Sequence, residues 1–230
     1  MPTLTRRTLL PHFEKTDPIM ARLIKEAGPY RLRARPCTSP FKHLAKAIAS
    51  QQISSKVADT ILKRFVKLYP LVNFPKPSQV LATDNQTLRG VGFSAGKVRA
   101  LKDLARHTQS GLVPNTRVLE KLDDEDIILR LTQVHGIGPW TVQMMLMFQM
   151  GRLDVLPKED YGIRNGFRIT YNLINLPTPG ELAHFGERWA PYRSAAAWYL
   201  WRAVDLQAVS KITSRKITKV ARVLRGRKSS

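Results

Sequence analysis

The chain has 230 residues, 43% of them hydrophobic, which is enough for a well-buried core in one or two closely packed domains and excludes a disordered chain. Lys and Arg number 38 against 17 Asp and Glu, a formal charge of +21. That balance points to a polyanionic partner, because Lys and Arg neutralise phosphates and release counterions; a merely basic or ribosome-associated protein is the plainer alternative.

The single cysteine, Cys37, excludes an intramolecular disulfide and a four-cysteine zinc or iron–sulfur site. It is read as a small packing residue. The N-terminal residues lack the apolar run of a signal peptide, and no stretch of about 18 apolar residues occurs. A soluble, intracellular protein with no membrane partner is expected.

Taken in chain order, the first dozen residues read as a basic arm. Asp17-Pro18 then starts a helix, with Asp as N-cap and Pro at the first helical position. Ile19, Leu23 and Ile24 give it an apolar side, and Gly28-Pro29 ends it. Tyr30–Pro40 is a connection without a clear period. Phe41, Leu44, Ala45 and Ile48 follow the i, i+3, i+4, i+7 helical pattern. The polar stretch Ser50–Ser55 interrupts it, and Val57, Ile61, Phe65 and Leu68 resume it until Pro70.

Val72–Ser78 holds Asn73, Pro75 and Pro77 and reads as a loop. Short helices are expected over Ser78–Leu81 and Asn85–Arg89. Gly90 and Gly92 precede Ser94, which caps a helix carrying Val98, Leu101, Leu104 and Ala105 and ending near Gly111. Asp123–Asp126 gathers carboxylates at a helix start, where the helix dipole favours them. Ile127, Ile128 and Leu131 follow.

Next comes the turn Val134-His135-Gly136-Ile137-Gly138, between two apolar segments. Positive φ is cheap only for glycine, and Pro139 fits the first position of the following helix. The free N–H groups there can bind a phosphate, a contact blind to base sequence. Gly162–Leu173 continues as a helix broken by Pro177–Pro179. Glu181–Trp189 is a further short helix, and Pro191–Ser194 turns into the Ala- and aromatic-rich Ala195–Val204, where Trp198 and Tyr199 are read as core. Lys211–Ser230 holds eight basic residues and no acidic one, with a weak helical stripe at Ile217, Val220 and Leu224. No strand alternation is evident, so the class is all-α.

Five motifs in order resemble the helix-hairpin-helix DNA glycosylase superfamily, in particular its 3-methyladenine DNA glycosylase II (AlkA-type) branch. They are S-Q-Q-I-S (50–54), G-F-S-x-x-K (92–97), V-H-G-I-G-P-W-T (134–141), D-V-L-P-K-E-D-Y (154–161) and R-W-x-P-Y-R-S-x-A-x-W-Y-L-W (188–201). The resemblance covers Phe41 to Trp201. It implies a two-lobed fold with the active site in the cleft between lobes. One lobe spans 41–152; the other combines 13–40 with 153–224, leaving 1–12 and 225–230 as flexible basic ends. The AlkA-type N-terminal β-domain is expected to be absent, since only 50 residues precede Gln51.

The resemblance also implies roles. Asp154, Glu159 and Asp160 are all carboxylates that could cap helices or lie on the surface; the family pattern selects Asp160, immediately before an aromatic, as catalytic, and leaves Asp154 to cap or brace the loop. Trp140, Tyr161 and Trp201 match the base-pocket positions, with Met144 where the AlkA type has an aromatic. Gln52 lies at the wedge position, although a polar helix-end residue would look the same. Gly136 and Gly138 are matched to phosphate binding. Lys97 is a further phosphate candidate, or simply a solvated charge. The main-chain carbonyls of Thr132, Val134 and Ile137 match a structural Na, K or Mg site; no cofactor is required and no iron–sulfur cluster is expected.

Bifunctional members carry a lysine where this chain has Trp140, so simple hydrolysis without a Schiff base is implied. The expected activity is excision of alkylated purines (3-methyladenine, 7-methylguanine) from double-stranded DNA by a monomer, in the nucleoid of a bacterium or the nucleus of a eukaryote. A superfamily enzyme for deaminated or mismatched bases, and a non-catalytic DNA-binding hairpin protein, are the alternatives.

Overall fold

The computed structural model describes residues 4–35 and 39–208. Cys37 and the basic segment Lys211–Ser230, including 225–230, lie outside the described residues. All regular structure among the described residues is helical. No helix among them is long and apolar enough to cross a membrane.

The chain divides into two compact units: Met1–Arg33 with Arg152–Ser230, and Ala34–Gly151. The expected lobe boundaries at 41 and 153 thus move to Ala34 and Arg152, and the N-terminal segment joins the first unit.

The first unit contains α1 (Arg6–Thr16), α2 (Pro18–Ala27), α11 (Tyr161–Thr170), α12 (Pro179–Gly186), a 3-10 turn (Glu187–Trp189) and α13 (helical over 193–208). The expected basic arm is therefore a helix. Thr5 caps α1 by accepting from the Thr8 N–H, and Leu9 and Phe13, four residues apart, are buried. That burial outweighs the cost of Pro11 inside the helix. Asp17 does cap α2, with Pro18 at its start.

Asp17 does more than cap. It is only 3% exposed. Its Oδ1 accepts from the Met20 N–H (3.0 Å), and its Oδ2 from Trp189 Nε1 (2.8 Å) and the Tyr171 hydroxyl. One carboxylate thereby ties α2 to the end of α11 and to the 3-10 turn. Around it pack Phe167, Tyr171, Phe185 and Trp189. Burial, and then the hydrogen bond and charge of Asp17, push the Tyr171 hydroxyl well above the ordinary phenol range, so it remains a donor.

The second unit runs from α3 (Pro40–Ser50) and α4 (Ser55–Lys67) through the short α5 (Pro77–Ala82) and α6 (Asn85–Gly90). It continues with α7 (Ala95–Gln109), the unanticipated α8 (Thr116–Leu119), α9 (Asp124–Leu131) and α10 (Pro139–Phe148). Phe41, Leu44, Ala45 and Ile48 are buried as the period required. In α4 the buried set is Ala58, Ile61 and Phe65, whereas Val57 is 48% exposed. Phe65 anchors an aromatic cluster with Tyr69, Phe74 and Phe93. Ser94 caps α7, and Asp123 caps α9 ahead of Asp124, Glu125 and Asp126.

Replacing Asp17 by alanine strands two buried donors and removes a cap. Asp17→Ala is expected to lower unfolding free energy by about 3 kcal/mol. Denaturant melts of the two proteins measure this; a loss under about 1 kcal/mol would show that the carboxylate does not hold the unit together.

Candidate active site

In the first unit, the segment leading to Asp160 is sewn to the start of α13. Ser194, 1% exposed, donates its Oγ–H to Arg152 O (2.8 Å) and accepts from the Val155 N–H (3.0 Å). Its own N–H donates to Leu153 O (3.0 Å). Arg193 grips Asp154 side-on, Nε to Oδ1 and Nη2 to Oδ2, both 2.8 Å. Burial alone would raise the Asp154 carboxyl; the Arg193 hydrogen bonds and charge outweigh it and hold the group below the usual carboxylate range. Asp154 is thus a brace for the loop.

Asp160 closes that loop by donating its N–H to Pro157 O (3.0 Å) and starts α11 as its N-cap. Its Oδ1 accepts from the Ile163 N–H (2.8 Å) and from Trp201 Nε1 (3.0 Å). Two donors on one oxygen, one from the backbone of α11 and one from α13, fix the carboxylate's direction. Glu159 beside it is exposed. Tyr161 follows Asp160 and is 68% exposed.

Two glycines make this arrangement possible. A Cβ on Gly162 would lie 3.0 Å from Trp201 Cδ1 and 3.1 Å from both Trp201 Nε1 and Asp160 Oδ1. A Cβ on Gly166 would lie 2.0 Å from the Leu200 carbonyl oxygen. The pair, four residues apart on one face of α11, lets α13 approach closely enough for Trp201 to reach Asp160. Neither was singled out from sequence, although the G-x-x-x-G spacing inside a helix was the signal. Tyr199, fully buried as expected of a core residue, and Trp198, only half-buried, pack with Tyr30.

The other site candidates lie in the second unit. Gln52 is exposed between α3 and α4, with φ 58°. Few non-glycine residues adopt this left-handed conformation, and it costs on the order of 1 kcal/mol. Gly136 has φ 80°, and a Cβ there would come within 3.1 Å of Ala100 Cβ. Gly138 differs from expectation: at φ −97° and ψ 169° it is extended, so conformation does not demand glycine there. Its missing side chain instead leaves open the space before α10, where a Cβ would meet nothing within 4 Å. Among the described residues, the N–H groups of Gly136 and Gly138 have no acceptor within the chain.

Lys97, read as a phosphate candidate or a solvated charge, has a partner inside the protein. Its Nζ donates to Ala49 O (2.8 Å) in the last turn of α3, and burial pulls the ammonium below its usual range. Trp140, 48% exposed, opens α10, with Met144 one turn later and half-buried.

The carbonyls of Thr132 and Ile137 receive no N–H among the described residues, and that of Val134 receives one, from Ile137 (3.0 Å). Oxygen atoms with lone pairs to spare suit a hard cation. No cluster of His, Cys, Asp or Glu among the described residues could hold a metal. The structure therefore brings Asp160, Tyr161 and Trp201 together in one unit. Gln52, Lys97, the hairpin, Trp140 and Met144 all belong to the other.

Residues 45–191 match the HhH-GPD superfamily base excision DNA repair protein family. A Schizosaccharomyces pombe protein named DNA-3-methyladenine glycosylase 1 is 41% identical, over 87% of this chain and 88% of its own. Among solved structures, S. pombe 3-methyladenine DNA glycosylase (Mag1) in complex with abasic DNA is 41% identical with a TM-score of 0.73. That likeness covers 84% of this chain and 95% of that one. A Bacillus halodurans DNA-3-methyladenine glycosidase is 31% identical with a TM-score of 0.77, covering 88% and 92%. The fold and the glycine hairpin define a helix-hairpin-helix protein. The chain belongs to the HhH-GPD superfamily of base excision DNA repair proteins.

The Asp154–Arg193 pair sets a pH signature. A depressed carboxyl contributes stability that is present above its unfolded value near 3.9 and is lost as pH falls through the folded value. The pair is about one-third exposed, which limits the contribution to roughly 1 kcal/mol or less. Arg193→Met is expected to melt below wild type at pH 7, and the gap is expected to narrow at pH 3. An equal gap at both pH values would remove the ion pair from the loop's support.

Proposed function

We propose that the protein is a monofunctional DNA glycosylase that hydrolyses the N-glycosidic bond of alkylated purines in duplex DNA, starting base-excision repair. The observation that carries this reading is Asp160. It is a carboxylate held from two helices and followed by an exposed aromatic, in a chain whose relatives carry the name 3-methyladenine glycosylase.

The chemistry follows from the substrate. Purines methylated at N3 or N7 are cationic. When the C1′–N bond breaks, the bonding pair leaves with the base, which becomes neutral, and positive charge develops on the sugar. The Asp160 carboxylate stabilises that charge and orients water. The water oxygen bonds C1′, and its proton passes to the carboxylate or solvent. Because the leaving group is already cationic, no strong general acid is required.

A base in a duplex has to be flipped out before this can occur. Gln52, on its left-handed backbone, enters the stack in the base's place. The N–H groups of Gly136 and Gly138 hold a backbone phosphate at the positive end of α10. Tyr161 and Trp201, beside Asp160, offer the flipped base the electron-rich rings that its positive charge favours. The carbonyls of Thr132, Val134 and Ile137 would hold a Na, K or Mg ion that props the hairpin. With Trp140 where bifunctional relatives place lysine, no Schiff base forms and the abasic strand is left uncut. Such an enzyme works where DNA is, in the nucleoid of a bacterium or the nucleus of a eukaryote.

Methylated duplex DNA incubated with the protein is expected to release free 3-methyladenine and 7-methylguanine, leaving alkali-labile but uncut strands. Chromatography of the released bases and denaturing gels measure the two. Intact DNA binding with no base released would overturn the reading, and a borohydride-trapped covalent complex would overturn its monofunctional part.

A further inference from the structure

Three polar contacts in the second unit converge on two short segments. Gln51, the residue before the proposed wedge, donates its Nε2–H to Gly136 O, 2.8 Å away in the hairpin turn and 85 residues on in sequence. A carbonyl acceptor requires the amide nitrogen on that side, so the assignment of the two Gln51 atoms follows from chemistry. Lys97, in the first turn of α7, holds Ala49 O at the end of α3. Asp103, two turns further along α7, accepts from the His135 N–H (2.8 Å) through Oδ2. The helix α7 thus grips the end of α3 that leads into the wedge loop with one side chain and the hairpin with another. Gln51 closes the triangle by joining the loop and the hairpin directly.

Gln52 needs such support. Its φ of 58° is strained for a residue with a side chain, and it lies in an exposed connection. A wedge is useful only if it stands at a fixed distance from the phosphate that anchors the strand. Otherwise the work of unstacking is spent on moving the loop instead of the base.

We infer that Gln51 is a positioning residue that couples the wedge to the phosphate-gripping hairpin, by bonding Gly136 O while its neighbour Gln52 is held in the left-handed conformation. This rests on the glycosylase reading. Gln51 touches neither base nor sugar; it fixes the distance between the two groups that hold the duplex during flipping. Its loss therefore falls on duplex substrates, in which the base has to be displaced. A lesion that is already unpaired is spared.

The test compares excision of 7-methylguanine from a fully paired duplex and from an unpaired bubble under single-turnover conditions, using wild type, Gln51→Met and Gln51→Glu. Both variants keep the side chain's length and lack the N–H donor, and taking the duplex-to-bubble ratio cancels any uniform effect of the added charge. Losing one hydrogen bond of ordinary strength is expected to slow the duplex reaction about tenfold and to leave the bubble reaction unchanged. Gln52→Ala is expected to give the same pattern, and adding Gln51→Met to it no further loss. Equal slowing on both substrates, or none on either, would overturn the coupling.

A readout independent of chemistry follows insertion itself. A fluorescent adenine analogue beside an abasic site is expected to brighten on binding wild type and to brighten less with Gln51→Met at saturation. Equal brightening would also overturn the coupling. Wild type that brightens this probe but releases no base would contradict the glycosylase reading alone.

Discussion

Trp201 Nε1 donating to Asp160 Oδ1 is the contact on which the first unit's site depends. It asks that α13 lie against α11 closely enough for an indole to reach the N-cap of that helix. Gly162 and Gly166 supply that closeness. It also asks that the loop from Arg152 to Asp160 arrive at a fixed place, and Arg193 and Ser194 at the start of α13 hold it there. The same helix therefore sets both ends of the segment that carries the carboxylate. Side chains on α13 that look unrelated in sequence, an arginine, a serine and a tryptophan, act on one loop. Asp17, with Trp189 and Tyr171 on it, keeps the neighbouring elements from moving.

The second unit solves a different problem. The proposed phosphate grip and the proposed wedge are backbone features, one a turn with N–H groups that have no acceptor among the described residues and the other a residue in a strained conformation. Neither is rigid by itself. The long helix α7 provides the rigidity through Lys97 and Asp103, with Ala100 packed beneath Gly136. Lys97 shows how a basic residue in a strongly basic chain can have a structural task. Its stem is partly buried, and its ammonium is committed to a carbonyl.

Much of the fold was legible because helices declare themselves through local signals. Caps at Asp17 and Ser94 fell where the sequence placed them, as did the acidic helix start at Asp123–Asp126 and the period of Phe41 to Ile48. Helix α1 was not legible. Pro11 and the arginines masked a two-residue apolar face whose value comes only from burial against distant elements. The same limit applies to the site. Asp160 and Trp201 were readable as family positions, but their hydrogen bond spans 41 residues and has no local sign. Gln51 bonds a carbonyl 85 residues away, and Asp17 bonds side chains 154 and 172 away. Positive φ does not account for Gly138: its backbone is extended and a Cβ there would meet nothing within 4 Å.

The central claim is that the Asp160 carboxylate, and not a neighbouring acid, stabilises the breaking glycosidic bond. Asp160→Asn keeps the side chain's size and an oxygen able to accept from Ile163 and Trp201, while removing the charge. Its single-turnover rate of 7-methylguanine release, measured beside its affinity for abasic DNA, is the direct test. A fall of at least about a hundredfold in rate with affinity retained is the predicted result. A rate within a few-fold of wild type would contradict the account.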